Sequence, residues 1–430
     1  MLINKAGDMT PYDMDRKPCR QNTLLLPLIW IASWFMTRSG KLKIQKIGLE
    51  GLNSPYLVLS QHQGFSDYYI TPLALFHRRA NYVSDVEGFA AFGKWLYRQI
   101  GCVATRRYAG DPALVRNIRH VVEKNGDIIV IYPEARHSNV GTHSDLPKSV
   151  GKLVKLLGLS VVVQKLHGSY LTSPIWDEDH RRKVPLCSTL EKALAPEDIT
   201  SLSAEEITTL LNEHFQYDEY RWQYENGIRI DYANRSEGLH NVLYLCPNCR
   251  MEYAMRSHAH VLECAVCGKA WEMDEFGRLS ATEGDTEFPH IPDWYEYERH
   301  ETQKQIASGT YHLNVEVLVD AIPNEKGFVH LGKGHLTHNA DGFVFAVADQ
   351  GGPLHFSSRA MYSVHTEYNY RGKGNCVVLS TRGCCYYLYP VHNDCNVTKI
   401  QFAAEEFYAR VKSNCSEIIK NTGKDIKPFE

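Results

Sequence analysis

Tyr56-Leu-Val-Leu-Ser60, followed by His62-Gln-Gly-Phe-Ser-Asp67, reads as a buried strand, a turn and the start of a helix. The apolar run is too short and too uniform for a surface helix, and Gly64 loosens the turn behind it. On one straight helix, side chains five positions apart point about 140° away from each other at roughly 100° per residue. His62 and Asp67 therefore meet only if His62 lies in the turn and Asp67 in the first helical turn. So placed, a neutral imidazole can take a proton from an attacking group while the carboxylate fixes its tautomer and stabilises the imidazolium. The plainer alternative is a surface histidine beside a helix-capping aspartate. Among the 20 histidines, only His62 has aspartate at this offset.

Outward from this stretch, strand and helix patterns alternate. Asp111 and Pro112 open a helix as N-cap and first residue, Leu114, Val115, Ile118, Val121 and Val122 supply its apolar stripe, and Asn125-Gly126 ends it. The strand Ile128–Tyr132 follows, then a helix over 149–157 and the strand Val161–Val163. Short apolar strands alternating with helices predict an α/β fold, a mostly parallel sheet with helices on both faces. Chemistry in such folds collects at the carboxyl ends of the strands. The charge run Asp177–Lys183 is expected to close this domain, which would span 46–183.

Two further blocks sit in that region. Gly101-Cys-Val-Ala-Thr-Arg-Arg107 is a glycine, an apolar segment and a doubled arginine, and Pro133-Glu-Ala-Arg-His-Ser138 ends the strand at 128–132. With His-x4-Asp before them, these blocks resemble the glycerolipid acyltransferase family, which includes lysophosphatidic acid acyltransferase. They stand in the family's order. The resemblance implies His62 as general base, Asp67 as its orienter, Arg107 as a ligand for the acceptor's phosphate and Glu134 as an organiser of the acceptor site. A guanidinium fork suits a phosphate in charge and geometry. The third block departs from the family pattern. Gly-Thr-Arg reads Ala135-Arg136-His137, so His137 occupies the arginine column and an arginine comes one place early. Either Arg136 takes over the phosphate role or the acceptor headgroup differs. The fourth block would be Leu159-Ser-Val-Val-Val163, without the family's proline.

Bulk properties agree. A chain of 430 residues, 43% hydrophobic and 23% charged, has a globular composition with room for two or three cores. The net charge of −3 conceals a basic first part, with 25 Lys/Arg against 15 Asp/Glu over 1–183, and an acidic remainder. A basic half suits anionic lipid surfaces and phosphates, although such asymmetry also serves solubility alone. Leu24–Met36 is the one long apolar stretch, interrupted by Pro27, carrying Trp30, Trp34 and Phe35 and flanked by Lys17, Arg20, Arg38, Lys41 and Lys43. It is too short for a hydrocarbon core that needs about 20 residues. Residues 1–45 are therefore expected to form a membrane-interface segment, with a helix packed on the core as the alternative. No signal-peptide pattern precedes it.

Beyond a helical connector expected over 184–240, Cys246-Pro-Asn-Cys249 and Cys264-Ala-Val-Cys267 form two CxxC knuckles fourteen residues apart. Four thiolates at that spacing predict a zinc ribbon over 241–280 with a structural zinc held by Cys246, Cys249, Cys264 and Cys267; iron is the alternative metal. His258 and His260 are read as loop residues. Zinc ribbons often touch nucleic acid, but 240–290 holds four basic and eight acidic residues, against the basic surface phosphates require, so no nucleic-acid partner is expected. From 305 to 430, alternating runs over 311–319, 328–336, 342–347, 360–368, 376–380 and 385–389, then a helix over 400–411, predict a β-rich domain with a C-terminal helix. This order resembles the pleckstrin-homology superfold, GRAM domains included.

Together these readings imply a cytoplasmic enzyme, peripheral on the inner face of a membrane. It would move a fatty acyl group from acyl-CoA or acyl carrier protein to lysophosphatidic acid or a related lysophospholipid acceptor. No serine or cysteine nucleophile accompanies His62, which suits direct transfer. The alternative is a catalytically silent membrane- or protein-binding scaffold on the same fold.

Overall fold

Seven short strands, β1 (Lys43–Ile47), β2 (Leu57–Ser60), β3 (Ala80–Asp85), β4 (Cys102–Thr105), β5 (Ile128–Ile131), β6 (Val161–His167) and β7 (Cys187–Leu194), form one sheet in the order β1-β7-β6-β2-β5-β3-β4. Every pairing is parallel except β6 with β7. The computed structural model describes residues 3–4, 7–348, 350–392 and 394–422; the expected outer domain limits, 1 and 430, lie outside them. Strands β2, β5 and β6 are buried on both faces, which is why they read as unbroken apolar runs.

Helices α1 (Leu26–Thr37), α2 (Asp67–Ala74), α3 (Val86–Phe92), α4 (Lys94–Gln99), α5 (Pro112–Arg119), α6 (Ser149–Leu157), α7 (Ser169–Thr172), α8 (Pro196–Ser201), α9 (Ala204–Phe215) and α10 (Glu219–Glu225) surround the sheet. One face packs on α5, α6 and α9 through Ile118, Val154 and Leu211; the other packs on α2 through Ala74 and Leu75. The expected N-cap at Asp111 is present: its carboxylate accepts from Ala113 N at 2.8 Å.

The sheet runs past residue 183. Cys187–Leu194 adds the antiparallel strand β7, which carries β1 on its outer edge, and α9 is core rather than connector. The stretch 187–194 buries alternate residues and mixes Ser, Glu and Lys with its apolar positions, so composition alone marks no strand there. The first 45 residues are likewise tied in. Gln21 donates to Ile100 O and accepts from Ala80 N, and β1 begins at Lys43.

A four-stranded antiparallel sheet, β8 (Met255–His258), β9 (Val261–Cys264), β10 (Ala270–Met273) and β11 (Leu279–Ala281), carries the cysteine knuckles. Helix α11 (Ile291–Ser308) leads from it to a second seven-stranded sheet. Its strands are β12 (Leu313–Ile322), β13 (Val329–Asn339), β14 (Gly342–Val347), β15 (Gln350–Ser357), β16 (His365–Glu367), β17 (Cys376–Ser380) and β18 (Cys385–Pro390), and α12 (Val397–Thr422) follows. All its pairings are antiparallel and β12 bonds both β13 and β18. The run expected over 360–368 shrinks to β16, while β15 was not expected; its Gly351-Gly352-Pro353 lacks a strand's composition. One cluster of buried side chains joins Tyr170 and Trp176 of the first domain, Trp271 of the ribbon, Trp294 of α11 and Val317 of β12. The three parts share a core.

Candidate active site

His62 leaves the end of β2 and is 7% exposed. Asp67, the first residue of α2, is fully buried. Its Oδ2 accepts from the amides of Gln63 at 2.7 Å and Gly64 at 3.1 Å and faces His62 Nδ1 at 3.1 Å, while Oδ1 accepts from the Ser169 hydroxyl. The turn is tight because Gly64 passes close to α7: a Cβ there would lie 3.3 Å from Ser169 O. With Nδ1–H donating to Asp67, the lone pair of Nε2 is left for a substrate proton, near the Tyr68 hydroxyl at 3.4 Å. Burial, then the nearby positive charge of His137, pushes the His62 pKa down to about 3, against the pull of Asp67. The ring is thus neutral, the form a general base requires.

Glu134 reaches the same turn. One carboxylate oxygen accepts from His62 N and the other from Ser144 N, both at 2.8 Å. It therefore holds two backbone segments together beside the base rather than pointing at a ligand. Burial raises its pKa to about 7. Ala135 next to it has φ +59°, the left-handed region where a Cβ is strained. The related motif's glycine in this column has a conformational reason.

The cationic residues divide. Arg107 lies at the same cavity with Asp85 at 3.7 Å, Glu87 at 3.9 Å and Glu367 of β16 at 3.6 Å. Arg136 turns to the second sheet and α12, donating to Ser363 at 3.0 Å, Glu405 at 2.8 Å and Ser144 at 3.1 Å. His137 stays beside the base, its ring edge-on to His62 with centroids 4.2 Å apart, and its Nδ1 lies 3.1 Å from Glu178. The fourth block becomes β6, which flanks β2 and supports the site from behind.

These groups line one cavity of about 1880 Å³. It is lined by the polar and charged groups of His62, Arg107, Glu134, Arg136 and His137 and, from α1 and its neighbours, by the apolar side chains of Leu25, Leu28, Ile29, Phe65, Phe92 and Leu96. The β-rich domain supplies another wall through Tyr362, Ser363, Glu367 and Glu405. Sequence reasoning missed Glu178, Ser169, Tyr132 and these distant residues. Glu178 stood in the 177–183 charge run; Tyr132, whose tilted ring has its centroid 4.5 Å from that of His62, adjoins the third block. Ser169 carried no signal.

The cysteines come together as well. Cys246, Cys249, Cys264 and Cys267 place their sulfurs within 4.8 Å of one another, with two pairs at 3.7 Å. A zinc tetrahedron with bonds of about 2.3 Å spaces its sulfurs at about 3.8 Å, so the donor set fits zinc. Four protein ligands leave no open position, and the cluster lies outside the residues lining the cavity.

The histidine–aspartate pair sits at the strand ends of a mostly parallel sheet, within the stretch that a family model matches. Residues 36–163 match the Acyltransferase family model. Among solved structures, the 1-acyl-sn-glycerophosphate (LPA) acyltransferase PlsC from Thermotoga maritima is similar, at 18% identity over 44% of this chain and 76% of its own, with a TM-score of 0.36. No curated protein matches the chain.

Proposed function

We propose that the protein transfers a fatty acyl group from acyl-CoA or acyl carrier protein to a hydroxyl of lysophosphatidic acid or a related glycerophosphate, in phospholipid synthesis. The observation that carries this reading is the buried His62–Asp67 pair at 3.1 Å, with the other ring nitrogen beside the Tyr68 hydroxyl and His62 lining a cavity that has both apolar and charged walls. His62 Nε2 takes the hydroxyl proton as the oxygen attacks the thioester carbonyl. Asp67 steadies the imidazolium. On collapse the C–S bond breaks, and the proton passes to the departing thiolate. Each hydroxyl proton removed thus reappears on a thiol, and His62 returns to its neutral form. The apolar lining from α1 and its neighbours suits an acyl chain, and Arg107 and His137 suit the acceptor's charge. Four cysteine thiolates would hold a zinc that contributes folding free energy.

The substrate route supports a peripheral membrane protein on the cytoplasmic, inner face. Among the described residues no helix is long and apolar enough to cross a membrane. Helix α1 packs Trp30 edge-on against Phe76 at 4.5 Å, yet exposes Leu28, Ile31, Trp34 and Phe35. Exposed Phe65, Phe92 and Leu96 line the cavity with Leu28, so the apolar rim adjoins its apolar lining. Apolar patches of this kind mark lipid or protein contact. The strand order and closing helix of the C-terminal domain suit a pleckstrin-homology-like module, here built into the cavity wall.

The test is transfer of a radiolabelled acyl group from acyl-CoA or acyl carrier protein over a panel of lysolipids. Activity on glycerophosphate acceptors is expected. A chain that binds vesicles but transfers nothing to any acceptor would be the scaffold instead.

A further inference from the structure

His137 stands where the related motif carries arginine, and it is not a passive replacement. Its Nδ1 is fixed on Glu178 at 3.1 Å, and its Nε2 is buried with no hydrogen-bond partner among the described residues. The ring touches that of His62 and lines the same cavity. The neighbouring arginines differ: Arg136 is tied to Ser363, Glu405 and Ser144, whereas Arg107 keeps Nη1 without a hydrogen bond, its charge partly offset by Asp85, Glu87 and Glu367 at 3.6–3.9 Å. A cation whose one free donor sits beside the general base is placed to meet an oxygen anion there.

We infer that His137, held as an imidazolium by Glu178, binds an oxygen anion at the reacting centre, so that the arginine of this motif is replaced by a cation that pH can switch off. The inference rests on the acyl-transfer reading above. The anion is either the acceptor's phosphate or the oxyanion that develops on the thioester carbonyl, both negatively charged oxygens within reach of the same Nε2.

The charges around the ring favour this state. Glu178, Asp67 and Glu367 face it as acids, with burial raising the pKa of Glu178 and Glu367, while His62 and the buried His365 face it as opposing bases and the phenols of Tyr68 and Tyr132 close the chamber. Burial works against the charged ring, but Glu178, with Asp67 and Glu367, holds the His137 pKa above its ordinary 6.5. His62, 4.2 Å away, moves the opposite way. Two imidazoles driven apart in this manner take separate roles, one a base and one a cation. The sign follows: His137 loses its charge as pH rises through its raised pKa, so anion binding must weaken on the alkaline side.

Two measurements on the full chain test this. In ring-¹⁵N histidine NMR, His137 is expected to titrate above 6.5 and to fall in Glu178→Gln; a further rise on adding glycerol 3-phosphate marks the headgroup as the anion. In pH profiles with acyl-CoA, lysophosphatidic acid and monoacylglycerol, the wild type should lose about tenfold per pH unit on its alkaline limb, and His137→Arg should lack that limb. His137→Gln should be at least tenfold slower. A limb in KM for the phosphate acceptor alone assigns the anion to the headgroup; a limb in kcat for both acceptors assigns it to the oxyanion; either supports the inference. A His137 that titrates below 6.5 or ignores Glu178→Gln overturns it. So does an alkaline limb that survives in His137→Arg. Absence of acyl transfer to any acceptor defeats the proposed function instead, while the titration still decides the state of His137.

Discussion

In the proposed reaction His62 is the base, and Asp67 beside it is fixed by two amides and the Ser169 hydroxyl. Replacing His62 with alanine should abolish turnover with fold and metal content unchanged. In Asp67→Asn a single side-chain atom must still serve both amides and His62 Nδ1; an amide oxygen there brings no charge to steady the imidazolium, an NH2 there opposes the amides and favours the wrong tautomer, and either should cost about 10²–10⁴-fold. Steady-state assays beside melting curves check both; a His62→Ala protein with a tenth of wild-type activity would refute the base assignment. Ala135 gives a prediction of opposite sign. Its φ of +59° strains an L-residue, so Ala135→Gly should preserve activity and stabilise by up to about 1 kcal/mol, read as a rise in Tm.

Helix α1 does two jobs with two faces. Its inner face meets α2 and lines the cavity; its outer face exposes Trp34 at 59% and Phe35 at 55%. Trp34→Ser with Phe35→Ser should weaken binding to anionic vesicles and activity on long-chain acceptors, with Tm unmoved. A short, water-soluble acceptor should still be turned over. Salt should weaken wild-type vesicle binding, because the flanking cations act through screened attraction. Trp30→Ser should behave differently, lowering Tm because that ring packs on Phe76 and His77. Vesicle flotation beside thermal melts decides: if the Trp34/Phe35 double variant floats like wild type, the outer face is not the membrane contact.

Over the whole molecule, the acyltransferase sheet, the cysteine ribbon and the β-rich domain share one buried cluster. They should melt in a single transition, and a chain truncated before β12 should not yield a soluble, cooperatively unfolding protein. Metal analysis should find about one zinc per chain. Cys264→Ser should lower Tm and solubility without selectively removing activity, since a structural metal contributes through folding. Zinc-free wild type with an unchanged melt would overturn the ribbon's role. Arg136, Glu405 and Ser363 link the third motif block to the C-terminal domain, so Glu405→Gln should loosen both together.

What the sequence by itself determined is what short-range geometry can encode. A strand, a glycine turn and a helix start place His62 against Asp67 five residues on; two CxxC knuckles bring four sulfurs together; apolar alternation marks β14 and β17 at their observed limits. Each depends on neighbours a few residues apart, or on ligands whose spacing is itself the pattern. Only the tertiary structure decided the rest. Strand β7 reads as polar until β6 offers it a partner, and Arg136 is tied down by Glu405, 269 residues away. His137 finds Glu178 across 41 residues, and Glu367 reaches Arg107 from the second sheet. Such pairs form because elements far apart in the chain, some of them in different domains, pack against one another, and no local pattern in the chain specifies them.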